Sequence, residues 1–292
     1  MDRGGPELRD LSAGNRNVPP AVRVIASGQE WSICEFTCRA GPEDRPFEER
    51  HDGVTIAAVV EGSFTYRTDS GRALLHPGAL LLGNHGKCFE CGHDYSRGDR
   101  CISVHFAPEL FAEISASVAG TSRYQFPAAT LAVAKHLTPI IAGLETLAQG
   151  ASLLGVEETV SHVGETVVAT LSGEASSHAR MSTREERRTA DVVRFIEDHA
   201  AEPLDLGTLA GISGSSKYHF LRAFRRAVGM TPYQFLLAIR IRRAALRLAC
   251  TSETVASIAF GAGFGDLSTF NRRFRDLFGM SPSAYRRRGS AT

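Results

Sequence analysis

One stretch of the chain is written twice, and this constrains the fold more than any other feature. Leu209-Ala210, a turn with Gly214, Phe220-x-x-x-Phe224 and Gly229-Met230-Thr231-Pro232 return as Ile258-Ala259, a turn with Gly263, Phe270-x-x-x-Phe274 and Gly279-Met280-Ser281-Pro282. Phe220 and Phe270, Phe224 and Phe274, Gly229 and Gly279, and Pro232 and Pro282 each stand 50 residues apart, whereas Leu209 and Ile258 are 49 apart, so the second turn holds one extra residue. Each copy reads as a short helix, a glycine-bearing turn, a second helix and a glycine stop, the order of a helix-turn-helix.

Phenylalanines at i and i+4 share one face of a helix and can pack on the Leu-Ala or Ile-Ala pair of the first helix, leaving the opposite face free to enter a major groove. In copy one that face carries Ser216, Lys217, Tyr218, Leu221, Arg222 and Arg225. In copy two it carries Asp266, Leu267, Ser268, Thr269, Asn271, Arg272 and Arg275. Arginine reads guanine edges or grips phosphate, and asparagine pairs with adenine. Between the copies, Pro232 to Leu248 has the apolar spacing of one connecting helix. Such a spacer would hold both reading helices roughly 34 Å apart, one turn of duplex, on the same side of the DNA.

The charge distribution fits a polyanion partner. The whole chain of 292 residues is near neutral, with 33 Lys+Arg against 32 Asp+Glu, but residues 184–292 hold 18 against 10 and residues 1–183 hold 15 against 22. A content of 43% hydrophobic residues excludes a disordered chain, and no apolar run approaches the roughly 18 to 20 residues of a membrane span. The first residues lack the charged-then-apolar order of a secretory leader, so a cytoplasmic location is expected.

The first half has a different rhythm. From Val22 to Phe106 short β-type runs alternate with turns: Thr55 to Val60, Ser63 to Arg67, a hairpin turn at Asp69-Ser70-Gly71, Arg72 to Leu75, the turn His76-Pro77-Gly78, and Ala79 to Leu82. Closely spaced strands of this kind close into a small sandwich or barrel that can enclose a pocket. Leu131, Ala134, Leu137, Ile141, Leu144 and Leu147, then Val156, Val160, Val163, Val167 and Leu171, predict two amphipathic helices. They can serve the barrel core or a dimer face. The expected class is α+β with two domains: a β-barrel and helical pair over 1–171, a polar linker over 172–183, and an all-α double helix-turn-helix domain over 184–292.

The stretch from about Ala190 to Arg287 resembles the DNA-binding domain of AraC/XylS-type transcription regulators. The resemblance is carried above all by Ala259-Phe260-Gly261-Ala262-Gly263-Phe264, Phe270-x-Arg272-x-Phe274-Arg275 and Gly279-Met280-Ser281-Pro282-x-x-Tyr285-Arg286. It covers about one third of the chain. It implies two helix-turn-helix units acting on double-stranded DNA at promoters, and an amino-terminal cupin-like barrel that senses a ligand or dimerises. On that reading the partners are DNA, RNA polymerase, a small effector and a second copy of the chain; activator is the expected role, and the sequence leaves activation and repression open. His76-Pro77-Gly78-Ala79-Leu80-Leu81-Leu82 is similar to a turn-strand common in such barrels. Copy one departs from the family pattern in the small polar run Ser213-Gly214-Ser215-Ser216 and in Tyr218.

Five of the six cysteines lie in the first 101 residues. Cys88-x-x-Cys91-x-His93, with Cys101, offers a Cys3His set suited to zinc. The same thiols can instead react under oxidation, or pack as small buried residues. On a strand Cys88 and Cys91 would face opposite ways, which weighs against a shared ion. Cys34-x-x-x-Cys38 is a second pair, on one strand face, with a distant echo of the zinc-cysteine site of alkylation-response regulators. A cupin-type enzyme would require a His-x-His strand, whereas His51, His76, His85, His93 and His105 are scattered, so no catalytic site is expected. A DNA-compacting protein is the reading from another class, and the acidic first half argues against it.

Overall fold

The structure is a computed structural model that describes residues 19–151, 155–173 and 181–289, without the side chain of Tyr218. Among the described residues, ten antiparallel strands form two sheets: β1 (Ala21–Ser27), β2 (Trp31–Cys38), β9 (Asp99–Phe106), β4 (Val54–Gly62), β7 (Leu80–Gly83) and β10 (Thr130–Leu131) in one, and β3 (Phe47–Arg50), β8 (Cys88–Gly92), β5 (Phe64–Thr68) and β6 (Gly71–Leu75) in the other. The expected hairpin is present, with Thr68 paired to Gly71, which takes a φ of 139°.

Strand alternation decides what each face touches. On β9, Ile102, Val104 and Phe106 turn outward into a core built with α1 (Pro108–Ala119), α2 (Thr138–Ala148) and α3 (Val156–Gly173). The intervening Cys101, Ser103 and His105 turn into a cavity between the sheets. The barrel, and two of its three helices, match the sequence pattern. Leu131 and Ala134 do not belong to a helix as their spacing predicts: Thr130–Leu131 pairs with β7, and α2 begins only at Thr138, with Pro139 in its first turn. A proline there has no lost hydrogen bond and a helix-compatible φ.

The carboxy-terminal region is helical throughout: α4 (Thr183–Asp198), α5 (Leu206–Ile212), α6 (Lys217–Val228), α7 (Pro232–Cys250), α8 (Val255–Gly261), α9 (Leu267–Phe278) and α10 (Pro282–Gly289). Of the expected linker, 174–180 lie outside the described residues. Its ends are more ordered than a linker implies, since Ser172 and Gly173 close α3 and Ser182 opens α4 through a reciprocal capping box with Glu185.

The barrel and the helical region share their cores. Val59, Phe64, Leu75 and Ala79 of the barrel belong to one apolar cluster with Val192, Phe220, Phe224 and Phe235. Ala142 of α2 belongs to one buried cluster with Ala245 of α7 and Phe270 and Phe274 of α9. The choice left open for the helical pair is thereby resolved for α2, which packs on the barrel with one face and along α7 with another. At that seam Arg242, 5% exposed, stands 3.0 Å from the Glu145 carboxylate and donates to the Val60 carbonyl at 2.6 Å. Burial raises the pKa of Glu145 against the opposing pull of Arg242 and Arg100.

Candidate nucleic-acid interface and barrel cavity

Each helix-turn-helix unit is built by local rules. In the first, Asp205 accepts from the Gly207 and Thr208 amides to start α5, Leu209 and Ala210 are buried, and Gly214 turns the chain at φ 58°. Ser216 caps α6, and Gly229, at φ 90°, ends it. In the second, Thr254 caps α8, Ile258 and Ala259 are buried, Asp266 caps α9 by accepting from the Thr269 amide at 2.7 Å, and Gly279 ends it. Gly263 is sterically required: its φ is 90°, and an added Cβ would sit 2.7 Å from the Ala201 carbonyl oxygen.

The two second helices are therefore equivalent 12-residue segments. Phe220 and Phe224 are 3% and 1% exposed, Phe270 and Phe274 are fully buried, and the inward faces are as expected. On the other side of α6, Lys217, Arg222 and Arg225 are exposed and Leu221 is half-buried, while the side chain of Tyr218 lies outside the described residues. On α9, Leu267, Ser268, Arg272 and Arg275 are exposed and Thr269 and Asn271 half-buried. Ser216 and Asp266 have a prior duty as helix caps, which occupies an acceptor of each side chain.

The arginines divide into two populations that net charge cannot distinguish. Arg240 donates to the Ala200 and Glu202 carbonyls, Arg243 to the Glu197 carbonyl, Arg242 to Val60, and Arg247 pairs with Glu253. These staple the scaffold. The side chains of Arg222, Arg225 and Arg275 make no hydrogen bond or ion pair among the described residues and are exposed. Connecting helix α7, with 19 residues, spans about 28 Å at 1.5 Å per residue.

The barrel cavity measures about 470 Å³. Phe36, Phe47, Phe64 and Phe89 supply apolar walls, and three histidines that look scattered in sequence, His51, His93 and His105, converge on it. Burial holds His51 down to about 4 and lowers His105 as well, so both are neutral hydrogen-bonding groups. His51 Nε2 shares a 2.7 Å hydrogen bond with Tyr66 Oη, and His105 Nε2 one of 2.7 Å with Ser103 Oγ. His93 differs. Burial alone would lower it, but the hydrogen bond to Asp99, aided by Cys38, draws it up to about 9. His76 is buried against Phe235, and His85 is exposed.

The set Cys88, Cys91, His93 and Cys101 is not gathered into one site. Cys88 is exposed at the start of β8, opposite Arg50, because its odd spacing from Cys91 on a strand turns it away from the cavity that Cys91, His93 and Cys101 line. Burial pushes the Cys91 and Cys101 thiols well up, and all six cysteines are free. His93 instead meets two residues outside that set, Cys38 and Asp99. Sequence spacing could not have found them, since Cys38 and Asp99 face each other only through the pairing of β2 with β9.

Residues 209–288 match a helix-turn-helix domain family, and residues 36–162 match the AraC-like ligand binding domain. Regulatory protein SoxS of Escherichia coli (strain K12) is 34% identical over 98 residues, 34% of this chain and 92% of SoxS. The uncharacterized HTH-type transcriptional regulator YbfI of Bacillus subtilis (strain 168) is 27% identical over 221 residues, 75% of this chain and 78% of that protein. Among solved structures, the DNA-binding domain of AdpA in complex with a target DNA is 33% identical, covering 36% of this chain and 94% of that one with a TM-score of 0.35. With a duplicated helix-turn-helix domain behind a ligand-binding barrel, the chain belongs to the AraC family of transcription regulators.

Proposed function

We propose that this regulator reads a bipartite operator with α6 and α9, and that a small, largely apolar effector in the barrel cavity governs how firmly the helical region is held. The observation that carries the reading is the pair of equivalent helices on which the exposed side chains of Arg222, Arg225 and Arg275 find no hydrogen-bond or ion-pair partner among the described residues. Lys217, Arg222 and Arg225 would serve one groove segment, and Asn271, Arg272 and Arg275 the next. The effector must bind one arrangement of the shared core more tightly than another, because equal affinity for both shifts nothing. Four aromatic walls with neutral His51 and His105 suit a compact apolar body carrying one or two hydrogen-bonding groups. Dimerisation, contact with RNA polymerase, a cytoplasmic location and activation of neighbouring promoters are further expectations of the same reading.

Selection of duplexes from a random pool with purified full-length protein tests it. The expected outcome is a defined motif in two parts, with a specific affinity at least about a thousandfold above random duplex at the same salt. Equal affinity for motif and random duplex would reduce the protein to a non-specific binder.

A further inference from the structure

Three residues from separate parts of the barrel meet at the cavity wall. Cys38 ends β2, Asp99 opens β9 directly opposite it, and His93 follows β8. His93 Nε2 lies 2.7 Å from Asp99 Oδ1, and Cys38 Sγ lies 4.0 Å from His93 Nδ1. One ligand atom from each of the three lies within 4.8 Å of the others, the only such set among the described residues. The backbone is shaped to allow the meeting: Gly98, at φ 69°, passes so near β2 that an added Cβ would sit 2.9 Å from the Cys38 carbonyl oxygen.

We propose that Cys38, His93 and Asp99 bind one thiophilic divalent cation of the zinc type, with a coordination position open to the cavity. A thiolate, an imidazole and a carboxylate form a mixed soft set that favours zinc-like ions over magnesium or calcium. His93 is 6% exposed and Asp99 is held from behind, since Cys101 Sγ donates to its Oδ2 at 3.1 Å. Such outer hydrogen bonds fix the aim of a ligand. On binding, the Cys38 thiol proton and the proton of whichever His93 ring nitrogen takes the cation leave to solvent, and the other ring nitrogen keeps its N–H. The three protein ligands leave one tetrahedral position for water or a donor atom of the effector.

The site adjoins the seam with the helical region. Asp99 pairs with Gly62 of β4, the Gly62 amide hydrogen-bonds to Glu197 of α4, and the nearby Val60 carbonyl accepts from Arg242 of α7. Occupancy is therefore placed to bias the hold on the DNA-reading helices. This second step rests on the proposed function above, but cation binding itself does not.

The test is titration of reduced, chelator-stripped full-length protein with Co²⁺ and then Zn²⁺. One equivalent of Co²⁺ should bind with a thiolate-to-metal charge-transfer band and tetrahedral visible absorption, both removed by Zn²⁺. Cys38→Ala and His93→Ala should each weaken binding at least tenfold, and Asp99→Asn should weaken it too. Cys88→Ala should leave it unchanged, and metal-free melting of the variants checks that they fold. No binding by the unaltered protein, a spectrum without the thiolate band, or binding that survives Cys38→Ala would overturn the site. Specific duplex binding, measured on the same preparation without metal, would persist after such a failure, so the two proposals fail separately.

Discussion

Single arginines have distinct fates in this molecule. Arg242 is enclosed between the barrel and the helical region, with Glu145 at 3.0 Å and a backbone carbonyl at 2.6 Å. Removing one member of a buried pair strands the other, so Arg242→Ala should cost about 3 to 5 kcal/mol in denaturant unfolding of the whole chain. A cost within experimental error would mean that the seam carries little of the stability. Arg272 has the opposite situation: its head is exposed on α9, near Asp266. Arg272→Ala should leave unfolding unchanged within about 0.5 kcal/mol and weaken operator binding by about 1 to 3 kcal/mol if it reads a base. If it holds phosphate, the loss should instead be uniform across sequences and lower the salt slope by about one. An unaltered operator affinity would remove it from the interface. The +8 of residues 184–292 contains both kinds of arginine, and the sequence does not distinguish them because a guanidinium that seeks a backbone carbonyl looks the same in one dimension.

Among the elements, α6 and α9 were legible because everything that makes them is local: a cap, two phenylalanines a turn apart and a glycine stop. Phe274 is fully buried against Phe270, Phe278 and Tyr285, so Phe274→Ala should cost about 3 to 5 kcal/mol and abolish recognition by the second unit. Equilibrium denaturation and duplex titration of that variant check both effects. Helix α1 escaped detection because only Phe111, Ile114 and Ser115 of its 12 residues are buried, too few for a clear period. Leu131 and Ala134 misled for the reverse reason, since their helical spacing is coincidental: Leu131 pairs with β7, and Ala134 is an extended residue before the short turn Lys135–Leu137. The Cys38, His93 and Asp99 cluster depends on strand register and on a glycine turn, neither of which leaves a mark at fixed sequence spacing.

At the scale of the whole molecule, the barrel and the reading helices are joined by a charged, buried seam, and its titration gives a stability signature. Glu197 is raised to about 8, mainly by burial, with Arg242, the Gly62 amide and Arg243 pulling it down and Glu61 pushing it up. A folded pKa above the unfolded value means that the native state keeps a proton the unfolded chain has lost. That contribution is complete below pH 4.5 and disappears as pH rises through about 8. His76 and His51 act in the opposite sense: both are held down to about 4, so their contribution is lost as pH falls from 6.5 toward 4. The melting temperature should therefore decline between about pH 6.5 and 8, through Glu197 and also through His93, which is raised to about 9 and acts with the same sign, so Glu197→Gln should make that limb shallower while the histidine-driven acid limb remains. An unchanged alkaline limb in the variant would place the titrating group elsewhere.

Under the proposed function, one chain presents two equivalent helices to successive major-groove segments on one side of a duplex. Guanine methylation interference on the selected operator reads out that geometry. Two clusters of interfering N7 positions, roughly 10 base pairs apart and on the same face, are expected, with Arg222→Ala relieving one and Arg272→Ala the other. A single cluster, or two clusters on opposite faces of the helix, would contradict it.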